Sequence, residues 1–322
     1  MTGYPTPAWR ITGGRLLTPA PFIIVGIVNA TPDSFSDGGK FFTLENAVNR
    51  IRDLVAQGAH IVDIGAESSR PGAEDIGHAE EWRRLEPVLA QALRLRDPGA
   101  NHPRGNYPFA VSVDTFRAET AIRALTMPSA PDRGHSGADI INDVSGGFFD
   151  PALDEVLAAY KPGYVIGHSP ARPDRMRQSP IYAHHVVDDL LRWFSARMDT
   201  LIKAGLPEEC ICLDPGIGFG KTLEHTLDIM AAIPRLLSLG RPLYFGISRK
   251  SFIGAITGQA TEERDTSTQV ITALIARAGV HVHRVHQVAD TAATLKLVQA
   301  LSPRASQSCV YTAAISYRTT AG

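Results

Sequence analysis

Residues 109–125 read Phe-Ala-Val-Ser-Val-Asp-Thr-Phe-Arg-Ala-Glu-Thr-Ala-Ile-Arg-Ala-Leu. The first six form an apolar run of strand length. Side chains alternate along a strand, so Ala110, Ser112 and Asp114 share one face. From Ala118 to Leu125 the apolar positions take up helical spacing. The unit is therefore a short strand that ends in a carboxylate and turns into a helix.

The same unit recurs in both directions. Strands are expected at 22–28, 60–64, 109–114, 139–143, 163–168, 210–214, 242–247 and 280–285. Helices are expected at 44–57, 79–95, 118–125, 151–159, 186–204, 223–237, 268–278 and 288–301. Eight successive βα units predict an α/β fold, a single-domain (β/α)8 TIM barrel. An open, doubly wound sheet is the alternative. The barrel is expected over 22–301, with an N-terminal segment at 1–21 and a tail at 302–322. Gly58, Gly205 and Gly279 each close a helix just before a strand. Two Pro-, Gly- and polar-rich stretches, 97–108 and 127–137, fall in helix-to-strand connections and read as insertions away from the active face.

The chain's 322 residues carry a formal net charge of −1, which gives no support to nucleic-acid or membrane-surface binding. Residues 1–15 have no apolar core of a signal peptide, and the run 22–28 is too short to cross a bilayer. Cys210 and Cys212 lie two apart in a strand-like run and are expected on one face; with Cys309 they read as core thiols rather than a disulfide framework. The expected compartment is the cytoplasm.

Polar residues gather just after the strands. In a barrel these positions converge on the C-terminal rim, where such enzymes do their chemistry. One Asp ending a strand is commonly a turn or helix cap; many polar strand ends on one rim point to a site. Arg70, Lys250, Arg284 and His286 supply positive charge suited to a di-anion such as pyrophosphate. Asp114, Asn142 and Asp214 supply acceptors, and Asn142 a donor as well, for a flat heterocycle with amino and amide edges. The polar segment 29–39 is too long for a plain connection and reads as a functional loop. Gly220-Lys221-Thr222 ends like a phosphate-binding P-loop, but Pro215 stands where that loop needs glycine.

Taken in order, these blocks resemble the dihydropteroate synthase family. The resemblance runs from about residue 22 to 301. It is carried by Gly26-Ile27-Val28-Asn29-Ala30-Thr31-Pro32-Asp33-Ser34-Phe35-Ser36-Asp37-Gly38-Gly39 and by Asp63-Ile64-Gly65-Ala66-Glu67-Ser68-Ser69-Arg70-Pro71-Gly72-Ala73. Further matches are Ser112-Val113-Asp114-Thr115, Ile141-Asn142-Asp143-Val144, Asp214-Pro215-Gly216-Ile217-Gly218-Phe219-Gly220-Lys221, Ser248-Arg249-Lys250-Ser251 and Arg284-Val285-His286.

The resemblance implies a transferase of folate biosynthesis, and a sulfonamide target. It would condense 6-hydroxymethyl-7,8-dihydropterin pyrophosphate with p-aminobenzoate, with Mg2+ as cofactor and a homodimer as the assembly. By that resemblance Asp114, Asn142, Asp214 and Lys250 hold the pterin, and Arg284 lies against its face. Asn29 binds Mg2+, and Ser69, Arg70 and His286 bind the anion. Phe35, Pro71, Phe219, Lys250 and Ser251 border p-aminobenzoate. Catalysis falls to Arg70, Lys250, Arg284, His286 and the loop residue Asp33. The sequence departs from the family at Gly167, where a pterin-contacting methionine is usual, and at Gln287, where an acidic residue is usual. Corrinoid-linked methyltetrahydrofolate methyltransferases share the pterin acids, but they do not need the Ser-Arg-Pro-Gly and Ser-Arg-Lys-Ser blocks. A catalytically silent homologue is the other rival.

Overall fold

The apolar runs pair in parallel. The computed structural model describes residues 7–19, 21–30, 44–67, 73–97, 109–129, 137–172, 175 and 182–302. Ahead of the barrel stands an antiparallel hairpin, β1 (Trp9–Arg10) with β2 (Leu16–Leu17). The barrel strands are β3 (Ile23–Asn29), β4 (Ile61–Gly65), β5 (Ala110–Asp114), β6 (Ile140–Asp143), β7 (Gly163–Gly167), β8 (Ile211–Asp214), β9 (Tyr244–Phe245) and β10 (Val282–Val285). Their order is β8-β7-β6-β5-β4-β3-β10-β9, and a parallel bridge between Leu213 and Leu243 joins its two ends. The barrel is thereby closed, which removes the free edges an open sheet would leave.

The helices are α1 (Leu44–Ala56), α2 (Gly77–Arg96), α3 (Ala118–Thr126), α4 (Leu153–Tyr160), α5 (Val186–Ala204), α6 (Leu223–Ala231), α7 (Ile233–Leu237), α8 (Ser251–Thr257), α9 (Asp265–Ala278) and α10 (Val288–Leu301). Gly205 and Gly279 end α5 and α9 in the left-handed region, at φ 111° and 110°, where a Cβ is disfavoured. The helix expected over 223–237 is two helices, because Pro234 stands in the first turn of α7 and cannot donate to a preceding carbonyl. The seven-residue α8 is too short to show a period and was not anticipated.

Alternation along the strands sorts the core into two layers. Ile24, Val62, Val111, Ile141, Ile166, Leu213 and Phe245 face the helices. Ile23, Val25, Ile61, Ala110, Ile140, Val165, Cys212, Tyr244 and Val282 fill the barrel together with Trp9, Ile11 and Leu17 of the hairpin region. Part of the segment set apart at 1–21 is thus a plug in the N-terminal mouth. Trp9 is wholly buried and donates from Nε1 to the Cys210 carbonyl at 2.8 Å. A Cβ on Gly163 would lie 2.8 Å from Ile11 Cγ2, so glycine there makes room for the plug. Beside it, the buried Asp139 carboxylate accepts from Arg96 Nη1 and the Val111 amide, both at 2.8 Å, and pairs with Arg15. These charges sit at the end of the barrel away from the rim and read as stability.

One expectation fails locally. Cys210 and Cys212 do not share a face: Cys210 ends a 3-10 turn before β8 and packs in the outer layer, while Cys212 points into the barrel. Both are buried free thiols, and burial pushes both above the usual thiol pKa, Cys210 to about 11. Cys309 and most of the two insertions lie outside the described residues. Among the described residues no helix is long and apolar enough to cross a membrane.

Candidate active site

Above the apolar layer, the next inward positions on the strands are polar: Asp63, Ser112, Asn142, Asp214 and Arg284. Asp63 is fully buried. Its Oδ1 accepts from Ser112 Oγ at 2.6 Å, and its Oδ2 accepts from Arg284 Nε at 2.7 Å and Asn142 Nδ2 at 3.0 Å. Arg284 also donates from Nη2 to Asp114 Oδ2 at 2.8 Å. Asn142 Nδ2 lies 3.4 Å from the Tyr244 hydroxyl. Five strands of the barrel are tied together by these side chains. A charge so deeply placed is tolerated because it is paired and hydrogen-bonded.

Burial pushes the Asp114 carboxyl above its ordinary range, and Arg284 opposes that shift. Asp214 ends β8. Burial raises its carboxyl too, opposed first by the Gly216 amide, which donates to Oδ1 at 2.8 Å, and then by Lys250, Lys221 and Arg284. Lys250 is the N-cap residue of α8, and its Nζ stands 4.2 Å from the Phe219 ring centroid. The preceding Arg249 is held at φ 58°, a strained position for a side-chain-bearing residue. Two hydrogen bonds to Asp265, at 2.6 and 2.7 Å, and one from its amide to Thr268 Oγ1 at 3.2 Å keep it there. The turn that aims Lys250 is therefore over-determined by α9.

His286 follows β10. Its Nδ1 lies 2.9 Å from Ser248 Oγ, and its carbonyl accepts from Arg50. Burial, then the nearby Arg284, Arg249 and Arg50, hold its imidazole at about 3. These groups favour the neutral ring, a hydrogen-bond partner, while a bound anion would favour the cation expected from the sequence. Asn29 ends β3 exposed on the inward side of the rim, and Ser251 is exposed in the first turn of α8. On the neighbouring arc, Arg117 pairs with both Glu67 and Asp75, which flank the loop 68–72. Asp33, Phe35, Ser69, Arg70 and Pro71 lie outside the described residues.

The mouth is thus lined by carboxylates, with a lysine stacked on an aromatic ring and an arginine across its floor. The pterin-binding enzyme family matches residues 25–286. The chain belongs to the dihydropteroate synthase family of pterin-binding enzymes. It is 38% identical to the dihydropteroate synthase of Synechocystis over 279 residues, covering 86% of this chain and 89% of that one. The Yersinia pestis dihydropteroate synthase, solved with a sulfonamide drug complex, superposes with a TM-score of 0.78 at 30% identity, covering 90% and 97% of the two chains. The Xanthomonas albilineans enzyme, solved with 4-aminobenzoic acid, gives 0.77 at 34% identity over 92% and 98%.

Against that family, Gly167 has a structural cause. It faces inward at the end of β7, and a Cβ there would lie 2.6 Å from the Asp143 carbonyl oxygen and 2.6 Å from Val144 Cα. The backbone leaving β6 occupies the place a side chain would take. Gln287 retains a hydrogen bond to Asp265 at 3.3 Å. Asp63, Ser112 and Tyr244 were not singled out as site residues from sequence. The available signal was a carboxylate in the middle of the apolar strand Ile61-Val62-Asp63-Ile64, which has to find a partner inside the barrel.

Proposed function

We propose that this chain is a dihydropteroate synthase, condensing 6-hydroxymethyl-7,8-dihydropterin pyrophosphate with p-aminobenzoate to give 7,8-dihydropteroate and pyrophosphate. The observation that carries the reading is the Asp63–Arg284–Asp114 network in the same polar layer as Asn142 and Asp214. It presents a rigid set of acceptors and a planar cation to a flat heterocycle. Asp214 and Asn142 suit the amino and amide edge of a pterin, and Lys250 can donate to its oxo group. Arg284, already fixed by two carboxylates, offers its guanidinium plane to the ring.

The anion end of the substrate falls to the outer rim. Ser69, Arg70 and His286 are the proposed pyrophosphate partners, with His286 as a hydrogen-bond donor. Among the described residues no three acidic, His or Cys side chains gather as a metal cluster. A Mg2+ held by the Asn29 side-chain oxygen, with water and pyrophosphate supplying the rest, fits a hard cation that needs few protein ligands. When bound, that ion supplies charge neutralisation to the leaving pyrophosphate. The protein's contribution is positioning and electrostatic stabilisation, without a nucleophile of its own. Phe35, Pro71, Phe219, Lys250 and Ser251 are the proposed border of the p-aminobenzoate site, and Asp33 a loop residue that shields the reacting methylene.

The assembly is proposed to be a homodimer. Val270 and Leu274 on α9, and Leu297 and Leu301 on α10, are exposed at i,i+4 spacing on two helices packed against each other. Sedimentation at micromolar concentration tests it. The buried, unbridged Cys210 and Cys212 support a reducing, cytoplasmic setting. The reaction itself is tested by pyrophosphate release in the presence of Mg2+ and the pterin substrate. Release that depends on p-aminobenzoate is expected; release indifferent to it would sink the reading.

A further inference from the structure

Lys221 is the part of the Gly218-Phe219-Gly220-Lys221 segment that the reaction leaves unused. Its Nζ lies 3.0 Å from the Phe219 carbonyl oxygen, 3.1 Å from the His168 carbonyl oxygen and 3.1 Å from His168 Nδ1. An ammonium has three donors, and these three acceptors use them all. Burial holds His168 well below the usual imidazole pKa, so it is neutral and its Nδ1 can accept. Lys221 is therefore directed into the protein rather than toward a ligand.

The two carbonyls it gathers belong to different rim loops. His168 follows β7, and its amide donates to the Asp214 carbonyl at 3.0 Å. Phe219 belongs to the loop after β8, and its amide donates to the Gly216 carbonyl at 3.0 Å. Gly216, at φ 69°, sits so close that a Cβ would lie 2.1 Å from the His168 carbonyl oxygen and 3.3 Å from Lys221 Nζ. That same glycine donates its amide to Asp214 Oδ1.

We propose that Lys221 is a positioning residue of the pterin pocket, one that clamps the His168 and Phe219 carbonyls and, in its protonated form, sets a positive charge behind Asp214. The proposal rests on the synthase reading and deepens it. Asp214 can accept two N–H groups from a pterin edge only as a carboxylate. The charged and titratable groups around it are Lys221 on its own loop, Lys250 at the start of α8, Arg284 on β10, Tyr244 on β9 and Cys212 below it on β8. Lys221 is one of three cations that oppose the effect of burial on that carboxyl. Burial brings Lys221 itself down to about 7, with Asp214 opposing and Lys250 adding to the shift. Each of the two thus favours the charged form of the other.

The test is pterin pyrophosphate binding by calorimetry from pH 6 to 9, with Lys221→Met, Lys221→Gln and Asp214→Asn beside the wild type. Glutamine keeps a donor for the two carbonyls while removing the cation, and it decides the matter if K221M fails to fold. In both Lys221 variants the dissociation constant at neutral pH is expected to rise about tenfold. The acid limb of binding is expected to move up by about one pH unit, and D214N is expected to lose the share of that limb that Asp214 contributes beside Asp114. A folded K221Q with wild-type affinity overturns the proposal. So does a loss equal at every pH, which would leave Lys221 a scaffold residue. Wild-type protein that binds no pterin at any pH fails the synthase reading and takes the proposal down with it.

Discussion

Arg284 Nε lies 2.7 Å from Asp63 Oδ2, joining residues 221 positions apart on the first turn of polar side chains above the barrel core. The pair does two things at once. It neutralises a carboxylate with no exposed surface, and it orients the guanidinium that also holds Asp114. Removing one member leaves the other charge buried without its partner. Asp63→Asn keeps the shape and removes the charge, and should lower stability by about 3 kcal/mol. Pterin affinity should fall with it, because Arg284 and Asn142 lose a shared acceptor. Urea unfolding together with calorimetry checks both; an unchanged urea midpoint would show that the network is not a structural tie.

The barrel was legible in the sequence because its signal is repeated and local. Every expected strand formed, and no end differed by more than two residues; β9 is shorter by two at each end, Tyr244–Phe245 within an expected run that begins with Pro242. The inward acceptors Asp114, Asn142 and Asp214 followed from alternation plus a carboxylate or amide at a strand end. What could not be read was anything set by contact between distant segments. The hairpin plug depends on Trp9 reaching Cys210, and Asp63 is explained by Ser112, Asn142 and Arg284, each on another strand. The burial of His286 and the three arginines around it, which favour its neutral form, are likewise properties of the fold, not of its neighbours in sequence.

Asn29 is the proposed metal ligand, and its test separates metal binding from folding. The residue ends β3 with its side chain exposed, so truncation removes no buried contact. Asn29→Ala should leave the unfolding curve within about 0.5 kcal/mol of wild type. It should raise the Mg2+ concentration needed for half-maximal pyrophosphate release several-fold. Titrating Mg2+ into the release assay measures this directly, and an unmoved Mg2+ midpoint would remove Asn29 from the metal site.

Gly167 is constrained by space rather than by backbone angle. With Asp143 O and Val144 Cα both 2.6 Å from a Cβ position, Gly167→Ala forces the backbone leaving β6 to move. Overpacking of this kind costs about 1–3 kcal/mol. Asn142 sits just before that backbone, so pterin affinity should fall as well. Gly167→Met, the residue usual in the family, should be worse on both counts. Tighter pterin binding by G167M than by wild type, measured by calorimetry, would mean that the β6 loop yields easily and that the pocket is merely missing a side chain.

His283 should govern part of the acid sensitivity of the fold. It lies on the outward face of β10, wholly buried, with the Phe22 ring edge-on at 5.7 Å. Burial holds its imidazole down to about 3, against an ordinary 6.5. The folded state therefore resists a proton that the unfolded chain accepts. Stability from this group is complete above pH 6.5 and is lost as pH falls from there toward 3. His60, His168, His281 and His286 are depressed in the same sense, while Glu81, Asp143 and Asp214, raised by burial, act in the opposite one. The slope of the whole protein is a net quantity, so the comparison with a variant isolates His283. Leucine is of similar size, and His283→Leu should change stability by less than about 1.5 kcal/mol at pH 7.5. At pH 4.5 the wild type should have lost about 2.7 kcal/mol more than the variant. Urea unfolding of both proteins at the two pH values reads this difference, and parallel losses would show that His283 takes up its proton without opening the structure.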